Sequence, residues 1–172
     1  MDTKILKTFE THTDDIRNHV MEEIRKRAET WHYQVLPEEV VSERISHAVR
    51  EILTGLGDWL RKSGPKDRIF SWFTDLGRKR CGQSMPLEDL SSVILLIRKE
   101  MRRIVRQVTA ADQLFENEQL GRINHYLDLL FVRIIQSTTL GYRREAAAIE
   151  VQRNSIDRLF RRTATPGTQR RA

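Results

Sequence analysis

The feature that most constrains the fold is a long apolar stripe between Gln83 and Val108. Large apolar side chains recur there at alternating spacings of three and four residues, at Leu87, Leu90, Ile94, Ile97, Met101, Ile104 and Val108. With about 100° of rotation per residue, these positions fall on one side of a helix. Burying each such side chain contributes roughly 1.5–3 kcal/mol. The stripe therefore predicts a helix that packs against other helices.

Further helices are predicted along most of the chain. We expect one to span Thr13–Trp31, where acidic residues follow Thr13, and another to begin at Pro37. A third covers Ile69–Leu76, and a segment that is apolar nearly all round spans Phe115–Leu140, where Gly141 bends or ends it. No alternating pattern bounded by turns indicates a strand. We predict an all-α fold, a compact bundle of five to six helices with a long C-terminal amphipathic helix.

The positive charge is concentrated towards the C-terminus. Residues 142–172 contain eight Arg against three acidic residues, a balance of +5, which leaves +1 of the total +6 for residues 1–141. We therefore predict a helical sensor or regulatory bundle over 1–141, a basic amphipathic helical extension over 142–162 and a disordered tail over 163–172.

The predicted extension carries a heptad-like seam that is interrupted by one arginine. The seam is a candidate partner-binding surface, formed by Tyr142, Ala146, Ile149, Arg153, Ile156 and Phe160. Its positive surroundings favour an acidic protein partner. A homodimer formed through the seam is a second interpretation, and folding of the seam back onto the bundle is a third.

The helix with the long apolar stripe also has a basic face, formed by Arg98, Lys99, Arg102, Arg103 and Arg106. One interpretation is a solvated face whose charge is offset by Glu100 and by acidic residues on neighbouring helices. The other is a surface for an acidic partner or for a nucleic-acid backbone. No aromatic residues are interleaved with the cations, so base stacking is not indicated.

Several histidines and acidic residues are candidates for metal or cofactor binding. The metal candidates are His12, Asp15, His19, Glu29 and His32. Glu29 and His32 have the Glu-x-x-His spacing of di-iron bundles, but the sequence contains no second copy of this motif. Polar helix edges explain these residues without a metal. His125 is either a haem ligand or a core or boundary histidine, and overall we predict no metal and no cofactor.

The single cysteine, Cys81, follows Arg78, Lys79 and Arg80. Positive neighbours lower the pKa of a thiol, so Cys81 is a redox candidate, with an incidental surface cysteine as the alternative. One cysteine cannot form an internal disulfide and fits a cytoplasmic protein. The N-terminus lacks the apolar core of a signal peptide, and no segment approaches the roughly 18 apolar residues of a membrane span.

Enzyme signatures are missing from the sequence. It contains no phosphate-binding glycine loop, no Gly-x-Ser-x-Gly and no His-Glu-x-x-His. We therefore predict that the chain is not an enzyme. The aromatic residues are predicted to lie in the core, or alternatively to line a small apolar ligand pocket; they include Trp31, Trp59, Trp72 and Phe73.

The segment Gly77–Leu90, "GRKRCGQSMPLEDL", resembles the junction between the third and fourth helices of RsbRD-type N-terminal domains. The matching positions are Arg78, Arg80, Pro86, Leu87, Glu88, Leu90 and Arg98. Ser84 stands where that family usually has Gly, and the similarity in layout covers residues 12–110. The resemblance implies an all-helical input module of the kind that typically precedes a STAS domain or a histidine kinase in bacterial signalling proteins.

Together these patterns predict a bacterial-type regulatory or sensory module that acts through protein–protein interaction and has no output domain of its own. A change in bundle packing would pass to the extension and from there to the partner. Two alternatives stay open. One is a basic helical protein that associates with nucleic acid, and the other is a helical sensor that binds a small ligand, a haem or a metal.

Overall fold

All regular structure in the described part of the chain is helical. The structure, a computed structural model, describes residues 2–60, 67–112 and 117–163, with side chains described for 5–58, 67–107 and 120–158. The helices are α1 (Asp2–Thr11), α2 (Thr13–Lys26), α3 (Trp31–Gln34), α4 (Glu38–Leu60), α5 (Asp67–Gly82), α6 (Leu87–Asp112) and α7 (Asn117–Thr163), with a 3₁₀ turn at Ala28–Thr30. The all-α prediction is confirmed.

The first predicted helix is divided, because α2 ends at Lys26 and Arg27 is extended, with φ −117° and ψ 123°. The Thr30 hydroxyl donates hydrogen bonds to the carbonyl oxygens of Ile24 and Arg27, both at 2.8 Å. The Gln34 side-chain amide donates to the same two oxygens at 2.8 and 2.7 Å. These side chains satisfy carbonyls that a helix end leaves free, so α2 ends without Gly or Pro.

The turn between α5 and α6 contains Ser84, which stands where RsbRD-type domains usually have Gly. The Met85 N–H donates to the Arg80 carbonyl at 3.0 Å and the Ser84 N–H to the Cys81 carbonyl at 2.9 Å, the pattern of a Schellman turn. Ser84 has φ 57° and is the left-handed residue of this turn. Glycine adopts that conformation without steric cost, which accounts for the Gly that the family usually has there.

The core is organised around α6, as the apolar stripe predicts. Five of the seven positions of the stripe are buried, namely Leu90, Ile94, Ile97, Met101 and Ile104. Leu87 is half-buried, and the side chain of Val108 lies outside the described residues. The helix packs against α2 and α7, so the predicted core side of this helix is confirmed.

The aromatic predictions have different outcomes. Phe73 is fully buried, and Trp72 is half-buried against the core. Trp31 is exposed, so its assignment to the core was wrong. It lies next to the break after α2, where the chain no longer continues the helical wheel. The side chain of Trp59 lies outside the described residues.

The last helix, α7, runs without interruption through Gly141, so the predicted helix boundary there was wrong. Leu129 and Val132 are exposed, which shows that α7 packs through one side and is not central in the bundle. The tail predicted to be disordered covers residues 163–172. Thr163 is the last residue of α7, and residues 164–172 lie outside the described residues.

Gly141 is needed for a close approach between α5 and α7. A Cβ atom at Gly141 would overlap the carbonyl oxygen of Thr74, and one at Gly77 would overlap the carbonyl oxygen of Thr138. The two helices run in the same direction, because their contacts proceed from Phe70 and Arg133 to Arg78 and Glu145. Backbone therefore touches backbone along this contact, which is the most extensive between any two helices described.

Candidate functional site

The most exposed part of the fold is the distal segment of α7, which we define as residues 146–163. The preceding residue, Glu145, still contacts α5, with its carboxylate 3.6 Å from Nε of Arg78. Every side chain described over 146–158 is exposed. With a rise of about 1.5 Å per residue, the segment is roughly 27 Å long. Over residues 146–158, where side chains are described, it projects from the bundle and does not fold back onto it.

Two apolar seam residues, Ile149 and Ile156, lie on the same side of the distal segment because they are seven residues apart. Their exposed fractions are 42% and 52%. Arg153 lies between them and has no ion-pair partner among the described side chains. Val151 is 65% exposed and lies about 200° further round the helix than Ile149. Ala146 is also exposed, so the described seam presents a narrow apolar strip crossed by one cation.

Tyr142 belongs to the bundle, so its inclusion in the exposed seam was wrong. Its side chain is half-buried and hydrogen-bonds to Cys81 of α5. Burial raises the pKa of Tyr142, and Cys81 and Glu88 raise it further. The Phe160 side chain, at the other end of the seam, lies outside the described residues.

The basic face of α6 is engaged by an acidic residue on α7. Arg98 Nη2 lies 2.6 Å and Arg102 Nη2 2.5 Å from Oδ1 of Asp128. Burial by itself raises the pKa of Asp128, but the two guanidinium groups lower it below its usual value. One carboxylate thus holds two of the five predicted cations and ties α6 to α7.

Two more cations of this face have acidic partners. Lys99 Nζ lies 3.0 Å from Glu23 of α2, and Arg103 Nε lies 2.6 Å from the buried Glu100. Hydrogen bonds, above all from Lys99, lower the pKa of Glu23 to about 2. Arg106 is exposed and donates to a backbone carbonyl of its own helix. The geometry fits the interpretation in which acidic residues offset the basic face.

Sequence reasoning named Arg98 and Arg102 but did not find Asp128 as their acidic partner. A signal was present, because Asp128 stands between Leu127 and Leu129 in an otherwise apolar stretch. An isolated acid at such a position indicates a cation on a neighbouring helix. Which helix supplies that cation depends on how α6 and α7 pack together, and a helical wheel of one helix does not contain that information.

The expected low pKa of Cys81 was wrong. Its side chain is buried, and burial raises the thiol pKa, with a further increase from Glu145. The hydrogen bond from Tyr142 acts in the opposite direction but is the smaller effect. None of the adjacent basic residues contributes to the shift in the thiol pKa, and the guanidinium of Arg78 lies against Glu145.

We expect Cys81 to react slowly with thiol reagents in the native protein. A buried thiol with a raised pKa is poorly accessible and little ionised at neutral pH, so labelling by Ellman's reagent should be roughly tenfold or more slower than for free cysteine. The same protein unfolded in denaturant provides the control and should react at the rate of free cysteine. Native labelling faster than free cysteine would restore the redox interpretation.

The structure does not bring the metal candidates together. The Nδ1 atoms of His12 and His19 donate to the carbonyl oxygens of Thr8 and Asp15, both at 2.8 Å. Within the residues that the structure describes, no group of three His, Cys, Asp or Glu side chains is placed to hold a metal ion. The histidines therefore act as local hydrogen-bonding groups at helix edges.

The Glu29–His32 pair is also separated in the fold. Glu29 lies 3.5 Å from Arg27, whereas His32 contacts the buried carboxylate of Asp89. Asp89 accepts hydrogen bonds from the His32 backbone N–H at 2.9 Å and from its Nδ1 at 3.1 Å. Asp89, in the first turn of α6, thereby accepts from a backbone N–H at the start of α3 that has no partner within that helix. The sequence analysis missed this role. His125 is exposed beside Tyr126, so the prediction of a core or boundary histidine was wrong.

The described part of the chain is an all-α bundle from which one long helix, α7, projects. Residues 14–155 match the family described as RsbT co-antagonist protein RsbRD N-terminal domain, and the chain belongs to this family. The match extends beyond the 12–110 resemblance into the distal segment of α7. The family comprises regulatory modules of stress signalling and is not a family of enzymes.

The other comparisons add no relative. No curated protein and no solved structure was found to match the chain. No helix in the described ranges 2–60, 67–112 and 117–163 is both long and apolar enough to cross a membrane.

Proposed function

We propose that this chain is a signal-input module that regulates a protein partner through the distal segment of α7. The observation that carries this proposal is the continuity of one helix from the core to an exposed apolar strip. Leu127, Leu130 and Ile134 of α7 are buried, whereas Ile149 and Ile156 are exposed. A hydrogen-bonded helix is stiff over this length, so displacement of its buried part moves its exposed part.

The contact between α5 and α7 supports a mechanical input. At Gly77 and Gly141 no side chain separates the two backbones. Packed interiors are nearly incompressible, so α5 cannot shift towards α7 without displacing it. In the proposed mechanism, a change in the packing of α5 is transmitted directly to α7 and then to the distal segment.

The partner is proposed to be an acidic protein with a matching apolar strip. Ile149 and Ile156 supply the apolar contacts, and Arg153 selects a partner that places a carboxylate opposite it. The excess of Arg over acidic residues between 142 and 172 accelerates encounter with an acidic surface. We further propose a cytoplasmic location, where a free thiol such as Cys81 persists.

The geometry gives less support to nucleic-acid binding. Phosphate binding requires several cations free to release counterions. On α6, however, Arg98 and Arg102 bind Asp128, and Lys99 binds Glu23. A nucleic acid would have to compete with these ion pairs for the same side chains.

Truncation after Ala148 tests the proposed output surface. This end point keeps Gly141, Tyr142 and Glu145, whose contacts with α5 a truncation after Leu140 would remove. We expect the thermal midpoint followed by circular dichroism to remain within a few degrees of that of the full chain, because the removed side chains that the structure describes, over 149–158, are exposed. Partner binding, or self-association measured by light scattering, should be lost.

One double variant and one matched single variant sharpen this test. Ile149→Glu with Ile156→Glu places charges in the apolar strip and should abolish binding, whereas Val151→Glu, on the other side of the same segment, should leave it intact. Binding through the strip should also depend weakly on salt, unlike binding to phosphates. Equal loss of binding in the double and the single variant, or a steep loss with salt, would contradict the proposal.

A further inference from the structure

A buried arginine near the end of α5 has an incompletely satisfied charge. Arg80 is only 6% exposed. Its Nη1 donates to Oε1 of Gln83 at 2.6 Å, but its Nε is buried without a hydrogen-bond partner. No carboxylate among the described side chains lies within ion-pair distance of it. An unpaired buried charge is costly, so a protein that retains one has a site at which an anion would be stabilised.

The arginine lines a cavity of about 410 Å³ between α4 and α5. Arg44 and His47 of α4 line it from one side, and Trp72, Lys79 and Arg80 of α5 line it from the other. Its volume lies within the range of small-molecule sites. Burial lowers the pKa of Arg80, and the nearby charge of Arg44 lowers it further, although a guanidinium remains charged at neutral pH.

Acidic residues at the rim do not neutralise the two arginines. Glu43 and Asp75 also line the cavity, but both are exposed. The carboxylate of Asp75 lies 3.9 Å from Arg78, a residue that does not line the cavity. Arg44 forms no ion pair with any side chain that the structure describes. Two guanidinium groups thus face one cavity without a protein counterion.

The cavity also offers an apolar wall. Trp72 is held edge-on between His47, with ring centroids 5.1 Å apart, and Phe73, at 4.8 Å. Leu76 lies one turn further along α5 and lines the same cavity. A fixed aromatic ring beside an aliphatic side chain contacts the flat or apolar part of a small molecule without much loss of side-chain freedom.

We propose that this cavity binds a small organic anion, with its carboxylate or phosphate group between Arg44 and Arg80 and its apolar part against Trp72 and Leu76. Guanidinium groups bind both kinds of oxyanion through paired hydrogen bonds, and both Arg44 and Arg80 line this cavity. The inference concerns ligand binding alone and does not rest on the proposed partner surface.

Titration of the isotope-labelled full chain, followed by NMR signals of arginine Nε–H and tryptophan indole N–H groups, tests the site. The probes are benzoate and phenyl phosphate, with inorganic phosphate and benzyl alcohol as partial mimics that lack the ring or the charge. We expect saturable shifts of Arg80 and Trp72 signals with benzoate, phenyl phosphate or both, and weaker binding of the partial mimics. The stronger of the two probes identifies a carboxylate or a phosphate as the preferred group.

Variants assign the effect to the two arginines. Arg80→Gln and Arg44→Gln should each raise the Kd roughly tenfold or more, because each removes charge-assisted hydrogen bonds. Arg78→Gln removes the same charge two residues from Arg80 but outside the cavity, and should change the Kd less than about twofold. Arg44 is half-buried, so its variant keeps the test valid if Arg80→Gln does not fold.

Three results would overturn the inference. The first is the absence of saturable shifts with both organic probes at millimolar concentration. The second is an equal Kd for Arg44→Gln, Arg78→Gln and the unmodified chain. The third is binding of inorganic phosphate as tight as that of phenyl phosphate, which would exclude a role for the apolar wall. None of these results bears on partner binding by the distal segment of α7.

Discussion

Replacement of Ile97 by Asp is expected to unfold the domain or to lower its free energy of unfolding by about 4 kcal/mol or more. Ile97 is fully buried at the centre of the α6 stripe. A carboxylate at this position loses its hydration without gaining a cation or a hydrogen-bond donor. Since domains of this size are stable by about 5–15 kcal/mol, one such charge removes much of the total. Urea unfolding followed by circular dichroism measures the effect.

Arg106→Ala is the matched control on the same helix. Arg106 is exposed, and its side chain bonds only to a carbonyl of its own helix among the contacts described. Its removal should change the free energy of unfolding by less than about 0.5 kcal/mol. Arg102→Ala is a less suitable control because it removes one of the two cations on Asp128. Similar effects of Ile97→Asp and Arg106→Ala would show that the sides of α6 are wrongly assigned.

Replacement of Gly141 by Ala is expected to destabilise the domain by about 3 kcal/mol, although alanine is the better helix former. The added methyl group would occupy the position of the Thr74 carbonyl oxygen. That oxygen belongs to the backbone of α5, so relief of the overlap requires the two helices to separate. Separation would also weaken contacts near Gly77 and Tyr142 on the same interface.

Gly121→Ala provides the opposite result on the same helix. Apart from its chain neighbours and the backbone of its own helix, no described atom lies within 4 Å of a Cβ placed at Gly121, which is exposed. There the intrinsic helix preference should dominate and raise the free energy of unfolding by about 1 kcal/mol. Urea unfolding of the two variants therefore compares one chemical change in two environments. If Gly141→Ala were as stabilising as Gly121→Ala, the close approach of α5 and α7 would be refuted.

Whether a feature could be predicted from the sequence depends on how local its cause is. The apolar stripe of α6 was predictable because burial of a helix side depends on residues three and four apart. The start of α2 at Thr13 was predictable for the same reason, since an acidic first turn acts on its own helix. The end of α2 was not, because Thr30 and Gln34 replace the usual glycine signal by bonding to carbonyls upstream.

The sequence by itself determined that this protein is an all-α domain, which side of α6 is buried and to which family the junction after Gly77 belongs. The tertiary structure decided the rest, because the deciding partners are distant in the chain. Gly141 was expected to interrupt a helix, yet it lies inside one where the backbone of Thr74 leaves no room for a side chain. The basic face forms ion pairs with Asp128 of another helix, and Cys81 is buried and hydrogen-bonded to Tyr142. Helical periodicity describes the surface of one helix, whereas charge pairing, thiol ionisation and close helix contact depend on what is packed against it.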